Sequence, residues 1–176
     1  MAFEDFQQKK SVVVVYTGDS KGKTSASIGL MCRALGRGQK VAYIQFIKHW
    51  EVGEHTFIHK IEPLFANSFY FYKGGKGFYD AGDLSEQNVS EETHKNAARE
   101  AFTIALEYAK SGDWNVVICD EINNAVNDGL LDVSDLEKLL TARHENTSIC
   151  VTGRNFPKEL LQYVDIATEM KKIKHH

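Results

Sequence analysis

A chain of 176 residues with 43% hydrophobic and 26% charged residues has the length of one domain and the make-up of an ordinary globular protein. Its formal net charge of -3 argues against sequence-independent attraction to nucleic acid or an acidic membrane surface. No apolar run approaches the roughly 18 residues that cross a bilayer, and Met1 to Lys10 is polar with no signal-peptide core, so a cytoplasmic protein without nucleic-acid or membrane partners is expected.

Residues 1–10 form a solvated arm, in which Phe3 and Phe6 leave room for a short docking helix, and residues 11–176 a single domain. The run Val12 to Tyr16 is a strand of β-branched residues and one aromatic that leads directly into Thr17-Gly18-Asp19-Ser20-Lys21-Gly22-Lys23-Thr24-Ser25. A helical pattern follows at once, through Ala26, Ile28, Leu30, Met31, Ala34 and Leu35, and Gly36 and Gly38 close it. Strand, glycine-bearing turn and helix start make a polyphosphate cradle, because backbone N–H groups and the positive helix end face one point. Lys23 adds a mobile cation there and the Thr24 hydroxyl a ligand for Mg²⁺. The motif departs from G-x-x-x-x-G-K-[ST] in one place: Thr17 holds the first glycine's position, and Gly18 is shifted by one.

Val41 to Ile47 is a near-continuous apolar run, the pattern of a parallel strand covered on both faces. Glu54 to Ile61 is a short helix before Pro63, and Ser68 to Tyr72 the next strand. The glycine-rich stretch from Lys73 to Asp83 is of the length at which a structureless connection is usually functional or disordered. Ser90 caps a long alanine-rich helix that ends at Gly112. Asn115 to Cys119 is a buried strand tipped by Asp120 and Glu121, which can bring a carboxylate to a magnesium ion on Thr24. Leu130 to Leu140 is helical, Ile149 to Val151 a strand followed by Thr152-Gly153-Arg154-Asn155, a helix starts at Pro157, and Ile166 to Met170 is a last strand.

This alternation predicts an α/β fold, P-loop NTPase-like, with a mostly parallel sheet, helices on both faces and the ligand site at the carboxyl ends of the strands. Lys23, Lys48, the loop at Gly74, Asp120 with Glu121, and Arg154 would gather there. Cys32, Cys119 and Cys150 lie far apart with no C-x-x-C and read as reduced, buried thiols. His55 and His59 stand four apart, but without HExxH an exposed amphipathic helix accounts for them better than zinc does.

The pieces TGDSKGKTS (Thr17 to Ser25), RALGRG (Arg33 to Gly38), QFIK (Gln45 to Lys48), GKGF (Gly75 to Phe78), CDEINNA (Cys119 to Ala125), GLL (Gly129 to Leu131) and VTGRN (Val151 to Asn155) together resemble the ATP:corrinoid adenosyltransferases of the CobA/CobO/BtuR type. The resemblance implies transfer of the 5′-deoxyadenosyl group of ATP to Co(I) of a cobalamin-type corrinoid, with release of triphosphate. It implies ATP and corrinoid as substrates, Mg²⁺ as cofactor and ATP held in the reverse sense, with C5′ exposed. A homodimer and a flavoprotein reductant are the expected partners. ATP would be bound by Gly18, Asp19, Ser20, Lys21, Gly22, Lys23, Thr24, Ser25, Arg33, Lys48 and Arg154, and the metal by Thr24, Asp120 and Glu121. Lys23, Phe78 and Tyr79 would act in catalysis.

The sequence departs from the family pattern at Asp19, Ser20 and Ser25, and Asp19 sets a carboxylate near phosphate. Asp80 stands where many relatives carry a tryptophan associated with displacing the lower cobalt ligand. Tyr79 is a substitute for it, or the protein handles the corrin differently, or Phe78 and Tyr79 simply pack the loop. Relatives extend past the point at which this chain stops, so a truncated end or a tag remnant at His175 and His176 is expected. Two other readings stay open: an ordinary P-loop ATPase or kinase, with Glu121 orienting water and Arg154 as an arginine finger, and a non-catalytic ATP- or corrinoid-binding relative.

Overall fold

Strand side chains alternate between two helical layers, and this alternation builds the core. The computed structural model describes residues 9–77 and 89–174. It contains strands β1 (Val13–Thr17), β2 (Val41–Gln45), β3 (Phe69–Lys73), β4 (Val116–Asp120), β5 (Ser148–Thr152) and β6 (Ile166–Glu169). The helices are α1 (Lys23–Leu35), α2 (Gly53–Ile61), α3 (Glu91–Ser111), α4 (Ile122–Asn127) and α5 (Val133–Thr141), with 3-10 turns at Glu62–Phe65 and Lys158–Tyr163. All strand pairs are parallel, in the order β3-β2-β4-β5-β1-β6.

Val14, Val41, Tyr43, Val116, Ile118 and Cys150 face one side, where Met31, Ala34 and Leu35 of α1 and Ile58 of α2 cover them. Their neighbours Val13, Val15, Ala42, Ile44, Val117, Cys119, Ile149 and Val151 face the other, under α3, α4, α5 and Leu160. Each fully buried aliphatic side chain contributes about 1.5–3 kcal/mol. The small residues Ala97, Ala98, Ala101, Ala105 and Ala109 let α3 lie close to the sheet. Ser90 caps that helix by accepting the Thr93 N–H at 3.2 Å, and Gly112 ends it at φ 77°, a left-handed conformation that glycine adopts without a Cβ penalty.

The mostly parallel sheet and two-sided covering agree with the sequence expectation, and several local expectations are corrected. The predicted strand at Val41 to Ile47 stops at Gln45, and β3 runs one residue later than predicted. The helix expected from Pro157 is a 3-10 turn starting at Lys158. Cys119 and Cys150 are buried, but Cys32 is exposed on α1. His55 is fully buried, not on an exposed face, whereas His59 is exposed. Among the described residues, no helix is long and apolar enough to cross a membrane.

Candidate active site

The carboxyl ends of β1, β2, β4 and β5 lie side by side, so the segments that follow these strands meet at one edge of the sheet. Gly18 and Gly22 take φ 102° and 109° in the turn after β1. The Lys23 ammonium folds back over this turn, donating to the carbonyls of Gly18 at 2.7 Å and Ser20 at 2.6 Å. Partial burial, then the nearby positive charge of Arg154, lowers its pKa. Both costs are relieved when a polyphosphate brings negative charge to the turn. Asp19, Lys21, Gly22 and Ser25 are exposed, and Gly18 and Ser20 half-buried. The C-terminal segment supports the turn: Met170 N–H donates to Thr17 O at 2.7 Å, and Ser20 N–H to Met170 O at 3.2 Å.

Thr24, at the start of α1, donates its hydroxyl to Asp120 Oδ2 at 3.3 Å. The predicted pairing of phosphate loop and acid-tipped strand is therefore present as a direct contact. Asp120 is fully buried and accepts two further bonds, from Gln45 Nε2 to Oδ2 at 3.0 Å and from Thr152 Oγ1 to Oδ1 at 2.7 Å. The register sets Gln45 opposite Asp120 and, one residue earlier on the next strand pair, Cys119 opposite Val151. A buried carboxylate with three donors is stabilised in place.

Glu121 turns sharply out of β4 at φ 65°. A left-handed non-glycine residue costs of order 1–3 kcal/mol and is concentrated at functional sites. Its N–H is held by Thr152 Oγ1 at 2.9 Å. Among the described residues its buried Oε2 has no hydrogen-bond partner. Burial, then the Asp120 charge, pushes its pKa up to about 7 against the pull of Lys48 and Lys23. A carboxylate oxygen next in sequence to Asp120, and close enough to Lys23 and Lys48 to feel their charge, is an oxygen donor of the kind a hard cation takes. Among the described residues no group of three or more His, Cys, Asp or Glu side chains gathers to hold a metal. The Thr24 hydroxyl and the Asp120 and Glu121 carboxylates are hard oxygen donors, the ligand type that hydrated divalent cations take.

Lys48 reaches Glu54 at 2.8 Å and Thr24 Oγ1 at 3.5 Å. Burial opposes its charge, yet Glu54, Asp120 and Glu121 outweigh that and hold its pKa above the ordinary lysine value. Arg154 is exposed on a loop tied to α4: Arg154 N–H donates to Asn124 Oδ1 at 2.8 Å, and Asn127 Nδ2 donates to Arg154 O at 2.7 Å. Gly153, at φ 135°, makes this approach possible, since a Cβ there would stand 2.7 Å from Asn123 Cβ. Arg33 lies in the last turn of α1, ten residues or about 15 Å along the axis from Lys23, and its charge acts on the Tyr16 hydroxyl.

Gly74 and Gly77 N–H groups donate to Gln45 O at 2.9 Å and Ile47 O at 3.0 Å. A Cβ on Gly75 would stand 2.2 Å from the Ile47 carbonyl, so the start of the glycine-rich segment lies flat on the end of β2, beside Lys48. Phe78, Tyr79 and Asp80 lie outside the described residues. The sequence reading missed Gln45, Thr152, His55 and Glu54 as members of the site. The available signal was polarity in the wrong place: Gln45 and Thr152 end apolar strands exactly where the ligand edge begins.

These features define an α/β protein with a P-loop-like fold. Flagellar accessory protein FlaH from Methanocaldococcus jannaschii shares the fold, with a TM-score of 0.55 at 12% identity over 96% of this chain and 74% of that one. Residues 9–176 match the model of the family described as ATP:corrinoid adenosyltransferase BtuR/CobO/CobP, and the chain belongs to that family. It is 29% identical to a corrinoid adenosyltransferase of Pseudomonas aeruginosa over 96% of this chain and 79% of that protein. It is 31% identical to one from Sinorhizobium sp. over 95% and 75%, and 29% identical to one from Escherichia coli K12 over 96% and 81%.

Proposed function

We infer that this protein is a corrinoid adenosyltransferase that moves the 5′-deoxyadenosyl group of ATP to Co(I) of a reduced corrinoid. The observation that carries this reading is the family match over residues 9–176, and the edge built by Lys23, Thr24, Asp120 and Glu121 supports it. In the reaction the cobalt electron pair forms the Co–C5′ bond, the C5′–O bond breaks, and triphosphate leaves with that bond's electrons. Co(I) is itself a strong nucleophile, so the chain's task is placement of C5′ and stabilisation of the leaving group.

The backbone N–H groups of the turn from Gly18 to Thr24 and the Lys23 ammonium bind the triphosphate, with Lys48 and Arg154 at its sides. Thr24, Asp120 and Glu121 would hold Mg²⁺, which would supply neutralisation of charge on the phosphate oxygens. The exposed position of Asp19 keeps its carboxylate in water, where repulsion of phosphate is screened. ATP lies with its triphosphate in the loop and C5′ turned toward the corrin, and Phe78 and Tyr79 contact the corrin. The working form is a homodimer in the cytoplasm, supplied with electrons by a flavoprotein.

Incubation with ATP, Mg²⁺ and chemically reduced cobalamin tests this directly. Triphosphate and a cobalt–carbon chromophore are expected in equal amounts; ADP and phosphate with no new cobalt bond would overturn it. One observation favours hydrolysis as a second reading. Glu121, with its pKa near 7, is poised to take a proton from water. The same product analysis separates the two.

A further inference from the structure

Asp120 is held by a chain of hydrogen bonds that begins on the far side of β2. Gln45 Nε2 donates to Asp120 Oδ2 at 3.0 Å. The opposite end of that amide, Oε1, lies 2.6 Å from His55 Nε2. The other ring nitrogen, His55 Nδ1, accepts the Val52 N–H at 3.3 Å and lies farther, 3.5 Å, from Oε2 of the exposed Glu51 carboxylate. An acceptor role at Nδ1 puts the ring proton on Nε2, which therefore donates to Gln45 Oε1. All three linked side chains are buried, Gln45 at 1% exposure and His55 and Asp120 at 0%.

We propose that His55 is a positioning residue that fixes the orientation of the Gln45 amide and, through it, presents Asp120 to the magnesium-binding site. The physical reason is that an amide has two nearly isosteric ends. With its N–H₂ toward Asp120 it stabilises the carboxylate; flipped, it would set a carbonyl oxygen against that oxygen. Strand register alone puts Gln45 beside Asp120 but does not choose between the two. The donor on His55 does. Outer-shell partners of this kind typically set metal affinity by about 10- to 100-fold.

His55 comes from α2, and the same helix carries Glu54, which pairs with Lys48 at 2.8 Å. One helix therefore steadies both the carboxylate and the lysine that flank Thr24. Burial lowers the His55 pKa, which keeps the ring neutral at neutral pH, and its contact with Phe71, centroids 5.9 Å apart, packs it in place.

The inference rests on the reading that Asp120 serves a bound divalent ion, and its test separates the two. In the metal-free full-length protein, long-range ¹H–¹⁵N spectra of the imidazoles should show His55 as the Nε2–H tautomer; the Nδ1–H tautomer would overturn the relay without any substitution. With ATP present, Mn²⁺ binding followed by electron paramagnetic resonance should weaken about tenfold or more in His55→Phe. His55→Gln, which keeps a donor at the same reach, should return to within about threefold of wild type. ATP affinity without metal should be unchanged in both variants. Equal Mn²⁺ affinity in wild type and His55→Phe, or an equal loss of metal-free ATP binding, would overturn the positioning role. Failure of the wild-type protein to bind Mn²⁺ with ATP would overturn the metal-site reading, and the relay with it.

Discussion

Thr152 and Asp120 are joined by a 2.7 Å hydrogen bond between the Thr152 hydroxyl and Asp120 Oδ1, and the same hydroxyl oxygen accepts the Glu121 N–H at 2.9 Å. One side chain on β5 thus holds both acidic residues at the tip of β4. Thr152→Val keeps the shape but strands a buried carboxylate oxygen and a backbone donor. The expected loss is about 2–4 kcal/mol of unfolding free energy, read by urea denaturation, with weaker ATP binding in the presence of Mg²⁺. A change under about 0.5 kcal/mol would show that water replaces the hydroxyl.

Lys23→Ala should lower adenosyl transfer by about 10²- to 10³-fold, the usual effect of removing one preorganised group that stabilises developing charge. The fold should persist, because the bonds lost are two half-buried ones to loop carbonyls. Steady-state rates with reduced cobalamin, alongside circular dichroism, check this; near-normal turnover would move the triphosphate elsewhere.

Glu121 imposes a pH dependence of known sign on the metal-free protein. Its folded pKa of about 7 lies above the ordinary 4.5, so the folded state binds this proton more tightly than the unfolded state. The associated stability is present below about pH 4.5 and lost as pH rises through 7. The loss is at most on the order of 3 kcal/mol. In Glu121→Gln it should vanish, leaving the variant the more stable of the two at pH 8 and not at pH 4. Parallel stability curves of the two proteins over that range would refute the shift.

Gly18 takes φ 102°, and a Cβ there would lie 2.5 Å from Met170 O. Gly18→Ala should therefore cost about 2–4 kcal/mol through backbone strain and collision with the C-terminal segment. Gly22→Ala, at φ 109° with only Met170 Sδ nearby at 3.9 Å, carries the strain alone and should cost about 1–2 kcal/mol. Thermal unfolding of both variants tests the difference, and equal losses would mean that Met170 simply moves aside.

The parallel sheet was readable from local patterning because burial on both faces demands apolar residues at every position of the inner strands. Of the proposed site, the parts visible in the sequence were those whose chemistry is contiguous, from Thr17 to Ser25, and the acidic pair that interrupts an apolar run at Asp120. Its bracing was not. Gln45, His55 and Thr152 come from separate elements, and their roles depend on partners 75, 10 and 32 residues away. The pattern around His55 suits an exposed helix face; packing of α2 against β2 and Phe71 of β3 buries it instead.

By itself the sequence determined the alternation of strands and helices, apart from α4 and the 3-10 turn at Lys158–Tyr163, and the family, because these depend on short stretches whose residue types and spacing are sufficient. Only the tertiary structure decided that Asp120 meets Thr24, that Thr152 and Gln45 orient Asp120, and that His55 stands buried behind them. Those contacts follow from strand order and register, which bring residues distant along the chain to within hydrogen-bonding distance.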